Sequence, residues 1–246
     1  MPAPSPETLL IDLVSSWPPR VHVLERIGVD CRRGAGRTLA DACRERGLDP
    51  ETVARILDAP DEVASPQDRP GWLTVSLPDL IDHIRTTHHD YLRRALPDLS
   101  QRLEMAVKGG QDDPPRWVSQ VRDTVQDLRD ELMDQLRREE EYLFPALRTV
   151  AKGRVLPGTS TSPSEPLREM ARKQEAVRTA LDRLRRLTDS YRPPSGAGRM
   201  VRETMAQLHE LEVDMRCHLY EELQILFPRV RSLFSGDSSP EPRSST

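Results

Sequence analysis

The chain has 246 residues, enough for one large domain or for a medium domain with a small companion. Its 36 basic and 40 acidic side chains, net −4, are mixed along the whole length, so there is no basic stripe for a phosphate backbone, and nucleic acid is excluded as a partner. No apolar stretch approaches a membrane span, Met1 to Pro6 lack a signal-peptide pattern, and Cys31, Cys43 and Cys217 are odd in number without a CxxC pair. These features predict a cytoplasmic protein with no membrane contact and no disulfide framework. Aromatic residues at 4% and an excess of Leu, Arg, Glu, Asp and Ala predict an all-α fold with solvated charged faces.

In chain order, four short helical patterns come first: Glu7–Ser16, Arg20–Ile27, Thr38–Arg46 and Pro50–Asp58. Thr38 is placed to cap the third, and Asp49 before Pro50 to cap the fourth. Residues 1–58 thus read as a small helical domain, and the Pro, Asp and Gly of 59–77 as a linker. Four longer periodic segments follow, near 78–107, 116–150, 164–190 and 198–232, with Gly/Pro breakers at 109–115, 158–163 and 193–198. They predict an up-down four-helix bundle over 78–232, followed by a Ser/Pro/Glu-rich tail at 233–246 with the composition of disorder.

The second and fourth long segments end alike, Glu139-Glu-Glu-Tyr-Leu-Phe-Pro145 and Glu222-Leu-Gln-Ile-Leu-Phe-Pro228. Four residues before each leading Glu, on the same helical face, stand Gln135 and His218. That face is the apolar one: Leu128, Leu132, Gln135, Glu139 and Leu143 share a stripe, as do Leu211, Met215, His218, Glu222 and Ile225. An ionised carboxylate in an apolar stripe costs several kcal/mol, roughly, unless a cation or hydrogen bonds meet it. The first segment supplies His88-His89 and the third Gln174, within Leu167, Met170, Gln174, Val177, Leu181 and Leu184. His89 precedes Gln135 by 46 residues and Gln174 precedes His218 by 44, so each half offers one residue and an i, i+4 pair to the bundle axis. Periodicity alone prefers His88 to His89.

The chain resembles the hemerythrin-like iron–sulfur cluster repair di-iron family, through Leu80-Ile-Asp-His-Ile84, His89-Asp90, Leu96-Pro-Asp-Leu99 and both Leu-Phe-Pro endings. The leading residues resemble that family's small first domain through Gly28-Val-Asp30, Thr38-Leu39 and Gly47-Leu-Asp-Pro-Glu51. The resemblance implies a non-haem iron centre at His89, Gln135, Glu139, Gln174, His218 and Glu222, and it selects His89 over His88. Two of the family's four imidazoles are replaced by glutamine here. Its Cys-Cys pair is replaced by Arg32-Arg33, with Cys31 at the place of a Phe. The implied cofactor is iron, in a mononuclear or incomplete di-iron site, or no metal at all. The implied partners are damaged iron–sulfur proteins, nitric oxide or reactive oxygen species.

A metal-free paralogue kept as a regulatory or interaction module is the alternative that the lost ligands suggest. An oxygen carrier is weaker, because too few imidazoles remain. His83 and His209 read as surface or packing residues, and Glu131 as an exposed helical residue or a lining of the approach to the site. In Glu139-Glu-Glu141 only Glu139 is expected to face inward. The loop Arg32-Arg-Gly-Ala-Gly-Arg37 reads as a turn before it reads as an anion site, and Cys31 as a small core residue before a reactive thiol.

Overall fold

A computed structural model describes residues 3–31, 36–58, 75–108, 116–152 and 164–235. The loop at 32–35, most of the expected linker, the breakers at 109–115 and 158–163, and the tail beyond Ser235 lie outside the described residues. The chain is all-α: among the described residues there is no strand, only an isolated bridge between Leu9 and Thr38.

Four short helices open it, α1 (Leu10–Ser16), α2 (Arg20–Arg26), α3 (Leu39–Arg46) and α4 (Pro50–Asp58). Thr38 and Asp41 form a reciprocal capping box that satisfies two otherwise orphaned amides at the start of α3. Gly47 ends that helix at φ 67°, a left-handed conformation that a side chain disfavours. Asp49 accepts the Thr52 amide at 3.0 Å and so caps α4. Leu10, Leu13, Val21, Leu24, Leu39, Cys43 and Leu57 are buried between these helices together with Cys31, which therefore packs as a small apolar residue. The same apolar cluster continues without a break into the bundle, where α1 packs against the last long helix.

The bundle consists of α5 (residues 77–108), α6 (116–151), α7 (Ser164–Leu187) and α8 (199–235). Consecutive helices pack together and α8 closes on α5, the adjacency of an up-down bundle. Ser76 caps α5 by accepting the Asp79 amide. None of the described helices is long and apolar enough to cross a membrane.

Three of the four long helices contain a π turn, at Arg85–His89, Glu139–Leu143 and Glu221–Leu226. Two of these lie just before Pro145 and Pro228. Proline has no N–H to give the preceding turn, and its ring crowds the carbonyl four residues back, so the local ladder loosens there. A π turn adds one residue to the helical circuit. Accordingly the buried stripe of α6 runs from Glu139 to Phe144, not to the expected Leu143, which is only half-buried. The three π turns lie at one level of the bundle. They sit between the large apolar cluster and a second one made by Leu80, Ile81, Ile84, Phe144, Leu147, Leu226 and Phe227.

Candidate metal centre

At that level His89, Gln135, Glu139, Gln174, His218 and Glu222 are all buried, none more than 3% exposed. Ligand atoms of His89, Glu139, His218 and Glu222 lie within 4.8 Å of one another. The two glutamines reach the carboxylates through their amide nitrogens. Gln135 donates its amide to Glu139 Oε1 at 2.8 Å, and Gln174 donates to Glu222 Oε2. Where imidazoles are missing, neutral amides therefore hold the carboxylates. The oxygens of both side chains make no hydrogen bond.

The remaining polar atoms are short of partners. Glu139 Oε2 and His89 Nε2 face each other at 3.4 Å, too far apart for a hydrogen bond, and neither makes one elsewhere. On its other side His89 Nδ1 is 2.8 Å from Glu140 Oε1. An N–H at Nδ1 donated to that carboxylate leaves the Nε2 lone pair aimed at the site, the second-shell arrangement of histidine ligands. Glu140 is thus part of the centre, a correction to its reading as a solvated face. It is tied outward to Arg93 at 2.8 Å. His218 Nε2 is 3.0 Å from Glu222 Oε1, and its Nδ1 makes no hydrogen bond. Phe144 stacks on the His89 ring at 5.4 Å and closes one side of the layer.

Burial, and then the Glu222 charge, raise the Glu139 pKa well above the usual carboxylate range, against the opposing hydrogen bond from Gln135. Burial, and then repulsion from His218 and Arg93, lower the His89 pKa to about 2, so its ring stays neutral. A neutral imidazole beside a desolvated carboxyl group with no counter-charge is a pairing that a cation can satisfy. The donor set fits one such ion, held by two nitrogens and two carboxylates.

His88 is buried beside His89, because the π turn widens the inward arc so that neighbouring residues both enter it. Its ring stacks on that of His218 at 5.3 Å. His83 was expected at the surface or in packing; it is partly exposed and lies 3.4 Å from Glu221, one residue before Glu222. His209 packs edge-on against Tyr191, as expected of a packing residue. Glu131 is half-exposed and pairs with Lys173 at 2.9 Å. The loop Arg32–Arg37, read as a turn before an anion site, falls largely outside the described residues.

A helical bundle that converges imidazoles and carboxylates on one desolvated layer belongs to the cation-binding class of helical bundles. The model of the hemerythrin HHE cation-binding domain matches residues 80–230, and the chain belongs to that family. Over 224 residues it is 24% identical to the iron–sulfur cluster repair protein ScdA of Staphylococcus haemolyticus, covering 90% of this chain and 96% of that one. It is 27% identical to a probable iron–sulfur cluster repair protein of Haemophilus influenzae, with 90% and 95% covered. It is also 26% identical to the iron–sulfur cluster repair protein YtfE of Dickeya chrysanthemi, with 89% and 94% covered.

Proposed function

We propose that the chain is a divergent cytoplasmic iron–sulfur cluster repair protein that binds one iron ion through His89, Glu139, His218 and Glu222. The observation that carries the reading is the facing pair Glu139 Oε2 and His89 Nε2, buried at 3.4 Å without a hydrogen bond between them. Relatives named for cluster repair match nearly the full length of both chains, which supports damaged iron–sulfur proteins as its targets. Iron, when bound, supplies a redox-active centre able to engage nitric oxide or reactive oxygen species.

The chain's own residues prepare that centre. Glu140 fixes the His89 tautomer, and Gln135 and Gln174 orient the two carboxylates by donating to one oxygen of each. Phe144 and the surrounding leucines keep bulk water from the layer. Gln135 and Gln174 are amide donors here, and neutral amides are poor substitutes for imidazole on iron, so one ion is favoured over two.

The test is iron content after anaerobic loading with ferrous iron and desalting. The parent chain is expected to retain an equivalent that His218→Ala and Glu222→Gln both lose while staying helical by circular dichroism. Equal iron in the parent and both folded variants would sink the reading.

A further inference from the structure

The carboxylate Glu221 points away from Glu222's site and toward two other imidazoles. Its Oε1 is 3.4 Å from His88 Nε2 and its Oε2 is 3.4 Å from His83 Nε2. Ligand atoms of these three residues lie within 4.8 Å of one another. His88 and Glu221 are each 1% exposed, yet His88 Nε2 and Glu221 Oε2 make no hydrogen bond. The His83 and His88 rings stand nearly perpendicular, 6.1 Å apart, so both can direct a nitrogen at one point beside the carboxylate.

What lies behind each ring matters as much. His88 Nδ1 is 3.0 Å from Asp214 Oδ1, and His83 Nδ1 is 3.3 Å from Thr87 Oγ1. In both rings the partner sits at Nδ1 and Nε2 faces Glu221, as Glu140 sits behind His89. An orienting carboxylate behind the His88 ring and an Nε2 without a hydrogen bond in front of it are the mark of an imidazole ligand. The spacing agrees. Ligand bonds of about 2.0–2.1 Å around a tetrahedral ion put neighbouring donors about 3.3 Å apart, close to the 3.4 Å that separates His88 Nε2 from Glu221 Oε1 and His83 Nε2 from Glu221 Oε2.

We propose that His83, His88 and Glu221, with Asp214 behind His88, form a second site for a divalent first-row transition cation, distinct from the His89, Glu139, His218 and Glu222 set. Two imidazoles and one carboxylate leave a coordination position for water or an exogenous ligand. His83, whose side chain is 30% exposed, gives that position its route to solvent. The bland competitor is an ion pair of a protonated His88 clamped by Asp214 and Glu221, with His83 against the same carboxylate, which needs no metal.

Cobalt(II) separates the two. Metal-free full-length protein is titrated with cobalt(II) alone, following visible ligand-field absorption and equivalents bound. The parent is expected to take two equivalents, and His83→Ala one, because His83 is exposed enough to be truncated without a buried cavity. Glu221→Gln, which keeps the volume, should also take one. Glu222→Gln should keep the absorption of the His83 site and lose the other. Circular dichroism confirms that each variant is folded. If His83→Ala and Glu221→Gln bind as much cobalt as the parent with the same spectrum, the cluster is an ion pair and the second site does not exist.

Discussion

Two buried glutamates of the same bundle are treated in opposite ways. Glu212, fully buried in α8, is met by two cations and a hydroxyl: Arg185 at 2.7 Å, Arg216 at 3.0 Å and the Tyr191 hydroxyl at 2.6 Å. Glu139, equally buried, receives one neutral amide and faces a second carboxylate. The first arrangement is complete within the protein and has no place for a ligand. The second is left incomplete, and an incomplete polar layer between two apolar clusters is where a cation belongs. Burial of a carboxylate therefore says little about function; what distinguishes a site from a structural cluster is whether the protein itself supplies the opposite charge.

The Glu212 cluster also joins the two parts of the chain, since Arg185 reaches Asp12 at 3.0 Å and Ser15 on α1. The chain accepts backbone strain to complete it: Asp189, Ser190 and Tyr191 have φ of 47°, 56° and 62°, and this left-handed run delivers the buried Tyr191 to Glu212. The largest effect is thus expected at Glu212. Glu212→Ala leaves the buried Arg216 with Asp182 alone and takes the acceptor from the Tyr191 hydroxyl, and should lower unfolding free energy by roughly 3 kcal/mol, to the same extent with and without chelator. Urea denaturation in both conditions checks it. A chelator-dependent loss would mean that the two clusters are coupled and the contrast between them is false.

The next effect is the reverse in kind. Metal removal should destabilise the parent, by about 2.7 kcal/mol where free metal had been a hundredfold above its dissociation constant. Glu139→Gln should abolish most of that dependence without loss of stability in chelator, because it removes a carboxylate that burial and Glu222 already disfavour. Melting curves of the two proteins with iron and with chelator decide it. If the parent, like Glu139→Gln, melts alike in iron and in chelator, metal contributes nothing and the metal-free module becomes the better account.

Much of the scaffold is legible in the sequence because helical periodicity, caps and breakers are local. Thr38 and Asp49 announce their helices by side-chain chemistry a few residues long. The repeat of Glu with Leu-Phe-Pro marks Gln135, Glu139, Gln174, His218 and Glu222, since two halves of one chain report on each other, whereas His89 is chosen over His88 by the family resemblance. What escaped is what an ideal α-helix cannot represent. A fixed 100° step hides the π turns, and with them the shared burial of His88 and His89, the shift from Leu143 to Phe144 and the inward reach of Glu140 and Glu221. Pro145 and Pro228 were the available signals, as each stands where the preceding turn loses a donor. The bond between Arg185 and Asp12 spans 173 positions, and no local pattern encodes it.

The smallest expected change in stability comes from the substitution that alters the site most. Gln135 and Gln174 stand where the repeat calls for imidazoles, and each now spends its amide on the neighbouring carboxylate. In Gln135→His with Gln174→His the volumes are similar and both residues stay polar, so the flanking Leu132 and Leu136 and the facing Val177 need not repack. The penalty should be under about 1.5 kcal/mol. A ring N–H can replace each amide donor while its other nitrogen turns to a metal, and Glu139 and Glu222 are released to bridge two ions. Iron content should rise by one equivalent over the parent, with new near-ultraviolet absorption from a ferric pair once admitted dioxygen has oxidised the loaded ferrous ions. Either single substitution should give less than the double, since each ion needs its own imidazole pair. A folded double variant that binds no more iron than the parent would show that Gln135 and Gln174 do not occupy ligand positions. The contrast between a self-sufficient Glu212 and an ion-seeking Glu139 would then rest on His89 and His218 alone.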